Sequence, residues 1–256
     1  MTVAAILNQK GGVGKTTVTL GLASAAQAAG HKVLVVDMDP QASATWTLGI
    51  ITSDRTLGAS DVILANAKGA ADDAIVESSW GSGVDVLPGG RELAGRERDS
   101  GRWVERRLRT ALVGVADRYD IVLIDCPPEL GANTLSGLSA ADLAVIVVEP
   151  ASYSNRGVAA VADLIDDVWD RYNPELDLAG VIVNKVPAVS AEAERQIDEL
   201  AAMVGRKSVW KPSIPQRVVV NQALGEQQPI HAYGYRAREI IEAFDALYAK
   251  LRRAAR

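Results

Sequence analysis

The sequence predicts an α/β domain in three layers, with a mostly parallel sheet between two helical faces. Three observations predict it. Short apolar runs rich in β-branched residues recur, and longer helical patterns lie between them. A glycine-rich stretch, NQKGGVGKTT at residues 8–17, joins the first run to the first helical pattern. Acidic residues, Asp37 and Asp125, stand at the ends of two runs, the edge at which such sheets bind ligands.

The elements follow in order. TVAAIL at residues 2–7 predicts a strand buried on both faces, because an unbroken apolar run leaves no polar side for solvent. A helix is expected over 15–29. KVLVVD at 32–37 is the second strand and VDVLPG at 84–89 the third. YDIVLID at 119–125, DLAVIVVEP at 142–150 and LAGVIVN at 178–184 follow, each bounded by turn residues. Helical periodicity fits 102–117, 153–172, 191–204 and 236–253, and short helices are expected within 50–84. Right-handed crossovers then make the sheet mostly parallel. No linker interrupts the pattern, so residues 1–256 read as one domain.

Composition narrows the function classes. The 256 residues are 48% hydrophobic and 23% charged, enough for one sizeable core in a soluble chain. A net charge of −5 gives no global attraction to nucleic acid or to an anionic membrane, so either would need a local basic patch. The one cysteine, Cys126, excludes an intrachain disulfide and a cysteine metal cluster. No apolar stretch approaches the roughly 18 residues of a membrane span, and MTVAAILNQ lacks the basic start of a signal peptide. The expected location is cytoplasmic.

The glycine-rich stretch ends as a phosphate-binding loop of the pattern G-x-x-x-x-G-K-[ST] should, with Gly14, Lys15 and Thr16. It does not begin as one, because Gln9 stands where the first glycine belongs, and it carries a second lysine, Lys10. A strand before it and a helix after it are the context in which the motif works. Gly11, Gly12 and Gly14 allow the backbone to turn its N–H groups inward around Val13. The helix start, with Thr16 and Thr17, adds positive partial charge. Lys15 is expected to reach the β- and γ-phosphates, and the Thr16 hydroxyl to ligate Mg²⁺. The alternative is a strand-to-helix turn without a ligand; strand, loop, Lys and Thr together favour a nucleotide.

KGGVGKTT resembles the deviant Walker A motif of the ParA/MinD ATPases. VLVVDMDPQASAT at 33–45, LPGGRELAGRE at 87–97, the Walker B-like YDIVLIDCPPELGANTLSGLSAAD at 119–142 and IPQRVVVNQALGEQQPI at 214–230 are similar to family segments in the same order. The resemblance thus covers nearly the whole chain, and is to the small ParA type without an N-terminal DNA-reading domain. It implies a P-loop NTPase fold, ATP and Mg²⁺ as cofactors, and slow hydrolysis to ADP and phosphate. It also implies a homodimer when ATP is bound, with Lys10 crossing the interface to touch the partner's ATP. Two nucleotides face to face concentrate negative charge, and a cation supplied in trans offsets it.

The acidic residues take roles from the same resemblance. Asp39 is expected to position the attacking water, and Asp125 to be the Walker B aspartate; with Thr16 both form the expected Mg²⁺ shell. Asp37 is expected to hydrogen-bond near that shell, with a turn-forming role as the alternative. CPPELG at 126–131 corresponds to the family's second switch segment. Asn184 and Pro215 are the expected adenine contacts, while Cys126 reads as a small buried residue rather than a nucleophile.

The resemblance further implies a ParB-like activating partner and a cargo that is a chromosome, a plasmid or a protein assembly. It implies non-specific DNA binding near the C-terminal part, and so nucleoid association. Arg217, Arg206 and Lys211 are the candidate phosphate contacts. There is a departure: chromosome-type members carry arginines roughly where this chain has Val189 and Val219. The arginine-rich stretch 91–109 reads as a solvated face with local ion pairs. Ile240, Ile241, Phe244, Leu247, Tyr248 and Leu251 lie on one face of the last helix, and packing on the sheet is preferred to a MinD-like membrane anchor. The remaining alternative is a metabolic enzyme on the same fold; its iron–sulfur version would need paired cysteines.

Overall fold

The computed structural model describes residues 1–53, 56–97, 99, 103–150 and 154–255. The strands are β1 (Val3–Leu7), β2 (Val33–Asp37), β3 (Val76–Glu77), β4 (Val84–Leu87), β5 (Ile121–Asp125), β6 (Leu143–Val148) and β7 (Asp177–Val183). They form one sheet in the order β3-β4-β2-β5-β1-β6-β7. Every pair is parallel except β3–β4. The helices are α1 (Lys15–Ala28), α2 (Ser43–Thr47), α3 (Ala59–Ala65), α4 (Leu93–Arg96), α5 (Arg107–Leu112), α6 (Ala132–Ala140), α7 (Ser154–Arg171), α8 (Ala191–Val204), α9 (Val218–Gly225) and α10 (Arg238–Ala254).

Side-chain alternation divides the core. Val3, Ala5 and Leu7 of β1 enter one apolar cluster, which also takes buried residues of α3, α5, α6, α7 and α8. Ala4 and Ile6 enter the other, which holds α1, α9 and α10. Both faces are therefore covered, and this is why the inner strands β1, β2, β5 and β6 read as apolar runs. α1 and α10 approach closely at Gly21, where an added Cβ would lie 2.1 Å from the Phe244 ring. α10 buries Ile240, Phe244, Leu247, Tyr248 and Leu251, with Ile241 partly buried beside them. The apolar stripe of the last helix is thus a packing face. Among the described residues no helix is long and apolar enough to cross a membrane.

The six expected strands and the helices at 15–29, 191–204 and 236–253 lie within two residues of their expected bounds. The helix expected over 153–172 is α7; residue 153 lies outside the described residues. The helix expected over 102–117 is broken: a short 3₁₀ turn at Val104–Arg106, then α5, then a second 3₁₀ turn at Ala116–Arg118. Val113 leaves the helix in an extended conformation, and Gly114 follows at φ +78°. Residue 102 lies outside the described residues. The edge strand β3 is two residues long, too short for periodicity to reveal.

Candidate nucleotide site

The chain runs from β1 to β2, outward through β3 and β4, back to β5 between β2 and β1, and then across β1 to β6. The loop leaving β1 consequently opens at the carboxyl edge of the sheet, flanked by the ends of β5 and β6. Buried Asn8 shapes its first turn: Nδ2 donates to the Val147 carbonyl at 2.5 Å, and Oδ1 accepts the Lys10 amide at 3.0 Å. Gly12 and Gly14 adopt φ +79° and +91°, the left-handed region that glycine enters without strain. A Cβ on Gly14 would also lie 2.2 Å from Asn184 Nδ2.

α1 starts at Lys15 with no side-chain cap and no acidic residue in its first turn. Its first amides lack intrahelical partners, which leaves a positive end suited to an anion. Lys15 is buried, and burial lowers its pKa, with the charges of Asp125 and Asp39 opposing. Its ammonium donates to the Lys10 carbonyl at 3.5 Å. A buried cation beside uncapped helix amides fits a phosphate group.

Asp37 and Asp125 are register partners at the ends of β2 and β5, and both are buried. Asp125 Oδ2 accepts the Thr16 hydroxyl at 2.7 Å, and Oδ1 accepts the Thr19 hydroxyl at 3.1 Å. Burial raises the Asp125 pKa and the Asp37 charge raises it further, while the two threonines and Lys15 oppose. Asp37 is likewise raised by burial, against bonds from Thr45 and the Asp39 amide. Its Oδ2 accepts the Thr45 amide at 2.8 Å and hydroxyl at 2.7 Å, and its Oδ1 accepts the Asp39 amide at 3.1 Å. Asp37 therefore hydrogen-bonds beside Asp39 and Asp125 and also pins the turn that carries Asp39. Asp39 is partly exposed, and its Oδ1 accepts the Gln41 amide at 2.8 Å.

The remaining candidates fall around this centre. The Lys10 ammonium pairs with Glu149 at the end of β6. Asn184 is buried and donates Nδ2 to the Val13 carbonyl at 2.9 Å, so it braces the loop from behind. Pro215 lies on the neighbouring segment, bridged to Val186. Cys126 is buried, and burial raises its pKa.

The basic candidates are not equivalent. Arg217 is engaged by Glu239, with Nε–Oε2 at 2.9 Å and Nη2–Oε1 at 3.1 Å. Arg206 is 81% exposed and only 3.9 Å from Asp198, and Lys211 is exposed. Val189 is 95% exposed, whereas Val219 packs partly buried against the core. In the stretch 91–109, Asp99 takes Arg96 at 3.1 Å and Arg107 at 3.5 Å, and Arg106 lies over Trp103. Arg98 and Arg102 lie outside the described residues.

Reading the residues in order misses Asn8, Thr19, Thr45, Glu149 and Lys185 as parts of this site. Thr19 and Asp125 are 106 residues apart, and Lys185, which donates to the Gly12 carbonyl, is 173 away. No local pattern marks such pairs; the regular spacing of Thr16 and Thr19 on one helix face is the only available signal.

Known proteins resemble the chain along most of its length. The family model AAA_31, described as an AAA domain, matches residues 1–178. The sporulation initiation inhibitor protein Soj of Bacillus subtilis is 34% identical over 238 residues, which is 92% of this chain and 92% of Soj. The chromosome partitioning protein ParA of Caulobacter vibrioides is 34% identical over 235 residues, covering 90% of this chain and 86% of that protein. The crystal structure of cobyrinic acid a,c-diamide synthase from Mycobacterium smegmatis with bound ADP and magnesium superposes with TM-score 0.80 at 30% identity, covering 98% of this chain and 96% of that one.

Proposed function

Because the chain belongs to the ParA/MinD family of ATPases, we propose that it is a positioning ATPase. It binds ATP with Mg²⁺, dimerises around the nucleotide and hydrolyses it slowly to ADP and phosphate. The observation that carries this reading is the Thr16 hydroxyl, bonded to the Asp125 carboxylate at 2.7 Å where an uncapped helix meets the sheet edge. A hydroxyl and a carboxylate at this edge suit a magnesium ion beside a nucleotide, and buried Lys15 supports the reading.

Each residue has a task. The amides of Gly11, Gly12, Val13, Gly14, Thr16 and Thr17 and the Lys15 ammonium would hold the phosphates. Thr16 and Asp125, with Asp39 nearby, would hold the metal. Bound Mg²⁺ would supply positive charge to the phosphate oxygens as the terminal phosphoryl group leaves. Asp39 would orient the attacking water; its tether to Asp37 and its partial exposure support that role. Lys10 would leave Glu149 to reach the partner's nucleotide. Asn184 and Pro215 would flank the base, Asn184 through the carbonyl oxygen that its bond to Val13 leaves available.

The same reading assigns a ParB-like activating partner, a chromosome, plasmid or protein assembly as cargo, and DNA as the surface on which the dimer travels. Arg206 and Lys211 are better placed than Arg217 to meet phosphates, since Glu239 already engages Arg217. The packed face of α10 argues against a membrane anchor. The test is binding to random duplex DNA with ATP or with ADP, across a salt series. ATP-dependent binding that weakens steeply with salt is expected. No DNA binding by an intact ATP dimer would defeat the DNA assignment, and no dimer at all would turn the reading toward a metabolic enzyme on this fold.

A further inference from the structure

The loop that leaves Asp125 is held from an unexpected place. It runs through residues 126–131 into α6, whose N-cap residue is Gly131 and which has no acidic residue in its first turn. The missing cap comes from Glu97, just past α4. Its Oε2 accepts the Ala132 amide at 2.7 Å and its Oε1 accepts the Asn133 amide at 3.1 Å. A Cβ on Gly131 would lie 1.9 Å from Glu97 Oε2, so the carboxylate occupies the space a local cap would need.

Two further bonds complete the joint. The Thr134 hydroxyl donates to the Glu129 carbonyl at 2.6 Å, which ties the loop to the first turn of α6. Asn133 Nδ2 donates to the Leu93 carbonyl at 3.0 Å, which ties that turn back to α4. At its other end, the same 88–97 segment meets the Asp39 side of the site. The Gly89 amide donates to Thr45 Oγ1 at 2.8 Å, and that hydroxyl donates to Asp37.

We infer that Glu97 is a positioning residue for ATP hydrolysis. It makes the 88–97 segment a brace between the turn that carries Asp39 and the loop that follows Asp125, so that the two sides of the phosphate site keep a common register. The inference rests on the ATPase reading. Glu97 touches no phosphate itself; it acts through the amides of α6.

The test compares ATP turnover and melting temperature in the full-length wild type, Glu97→Ala, and the double variant Glu97→Ala with Gly131→Ser. Gly131 has φ −96° and ψ −160°, a backbone that serine adopts freely, and loss of the carboxylate opens room for a hydroxyl cap. In Glu97→Ala, kcat should fall about tenfold or more, as a misplaced reacting group predicts, while KM stays within about threefold. The double variant should regain the melting temperature without regaining kcat. Recovery of both would make Glu97 a helix cap only and overturn the proposal, as would an unchanged kcat in Glu97→Ala. Should Glu97→Ala fail to fold, Glu97→Gln keeps the size and one acceptor and should show the same loss confined to kcat; an unchanged kcat there also overturns the proposal. A wild type that hydrolyses no ATP would overturn the ATPase reading and this inference with it, whereas an active wild type with indifferent variants overturns this inference alone.

Discussion

The ammonium of Lys10 pairs with the carboxylate of Glu149 in its own chain, across the ends of β1 and β6. The proposed role of Lys10 in the partner's site requires that this pair open. The pair is partly exposed, and such pairs contribute at most about 1 kcal/mol, so solvent and a phosphate compete with it readily.

Lys10→Ala should therefore leave the fold nearly as stable as before, with a melting temperature within roughly 4 °C. It should abolish the dimer formed with ATP and Mg²⁺, read by light scattering during size-exclusion chromatography. A dimer of unchanged strength would remove Lys10 from the interface.

Asp125→Asn tests the buried carboxylates. In the wild type, Asp37 and Asp125 are both held above the usual carboxylate range by burial. Between that range and neutrality the folded chain binds more protons than the unfolded one, so this pair's contribution to stability falls as pH rises. Thermal melts of the nucleotide-free wild type should show that decline, and Asp125→Asn should flatten it. The variant should be the more stable of the two above neutrality, while losing ATP hydrolysis. A steeper pH dependence in the variant would contradict the assignment.

Thr45→Val removes one methyl-sized hydroxyl that donates to Asp37 and accepts from the Gly89 amide. The buried carboxylate and the amide both lose a partner. The expected cost is about 2–4 kcal/mol, from two unsatisfied groups, measured by denaturant unfolding. A change below about 0.5 kcal/mol would mean that neither group depends on this hydroxyl.

Gly14→Ala meets two obstacles at once, a left-handed backbone at φ +91° and the Asn184 amide 2.2 Å from the new methyl. Nucleotide affinity should fall by about two orders of magnitude as the loop distorts, measured by titration calorimetry. Asn184→Ala should weaken binding less, because it removes the brace on Val13 without displacing the backbone. The reverse order of effects would count against the loop geometry.

The inner strands β1, β2, β5 and β6 were legible because each is buried on both faces, which favours an apolar run, whereas the two-residue edge strand β3 carries no such run. The glycine-rich turn between β1 and α1 was legible because its glycines, Lys15 and Thr16 are neighbours along the chain. The break in the helix expected over 102–117 leaves no mark on the periodicity, which does not register the extended Val113 or the turn at Gly114. The supporting residues were hidden for another reason. Thr45 looks like an ordinary helical threonine until β4 brings Gly89 to it, and Glu97 looks like a surface charge until α6 arrives with no cap of its own.

By itself the sequence determined the layered α/β architecture, the glycine-rich turn between β1 and α1 and the acidic residues at the strand ends, because these depend on periodicity and on neighbours along the chain. Only the tertiary structure decided that Asp37 pins a turn, that Asn184 braces the loop, that Glu149 holds Lys10 and that Glu97 caps α6. Each of those roles is a hydrogen bond or ion pair between groups far apart in sequence. Such bonds form only after burial brings the groups together and leaves them no water to bond instead.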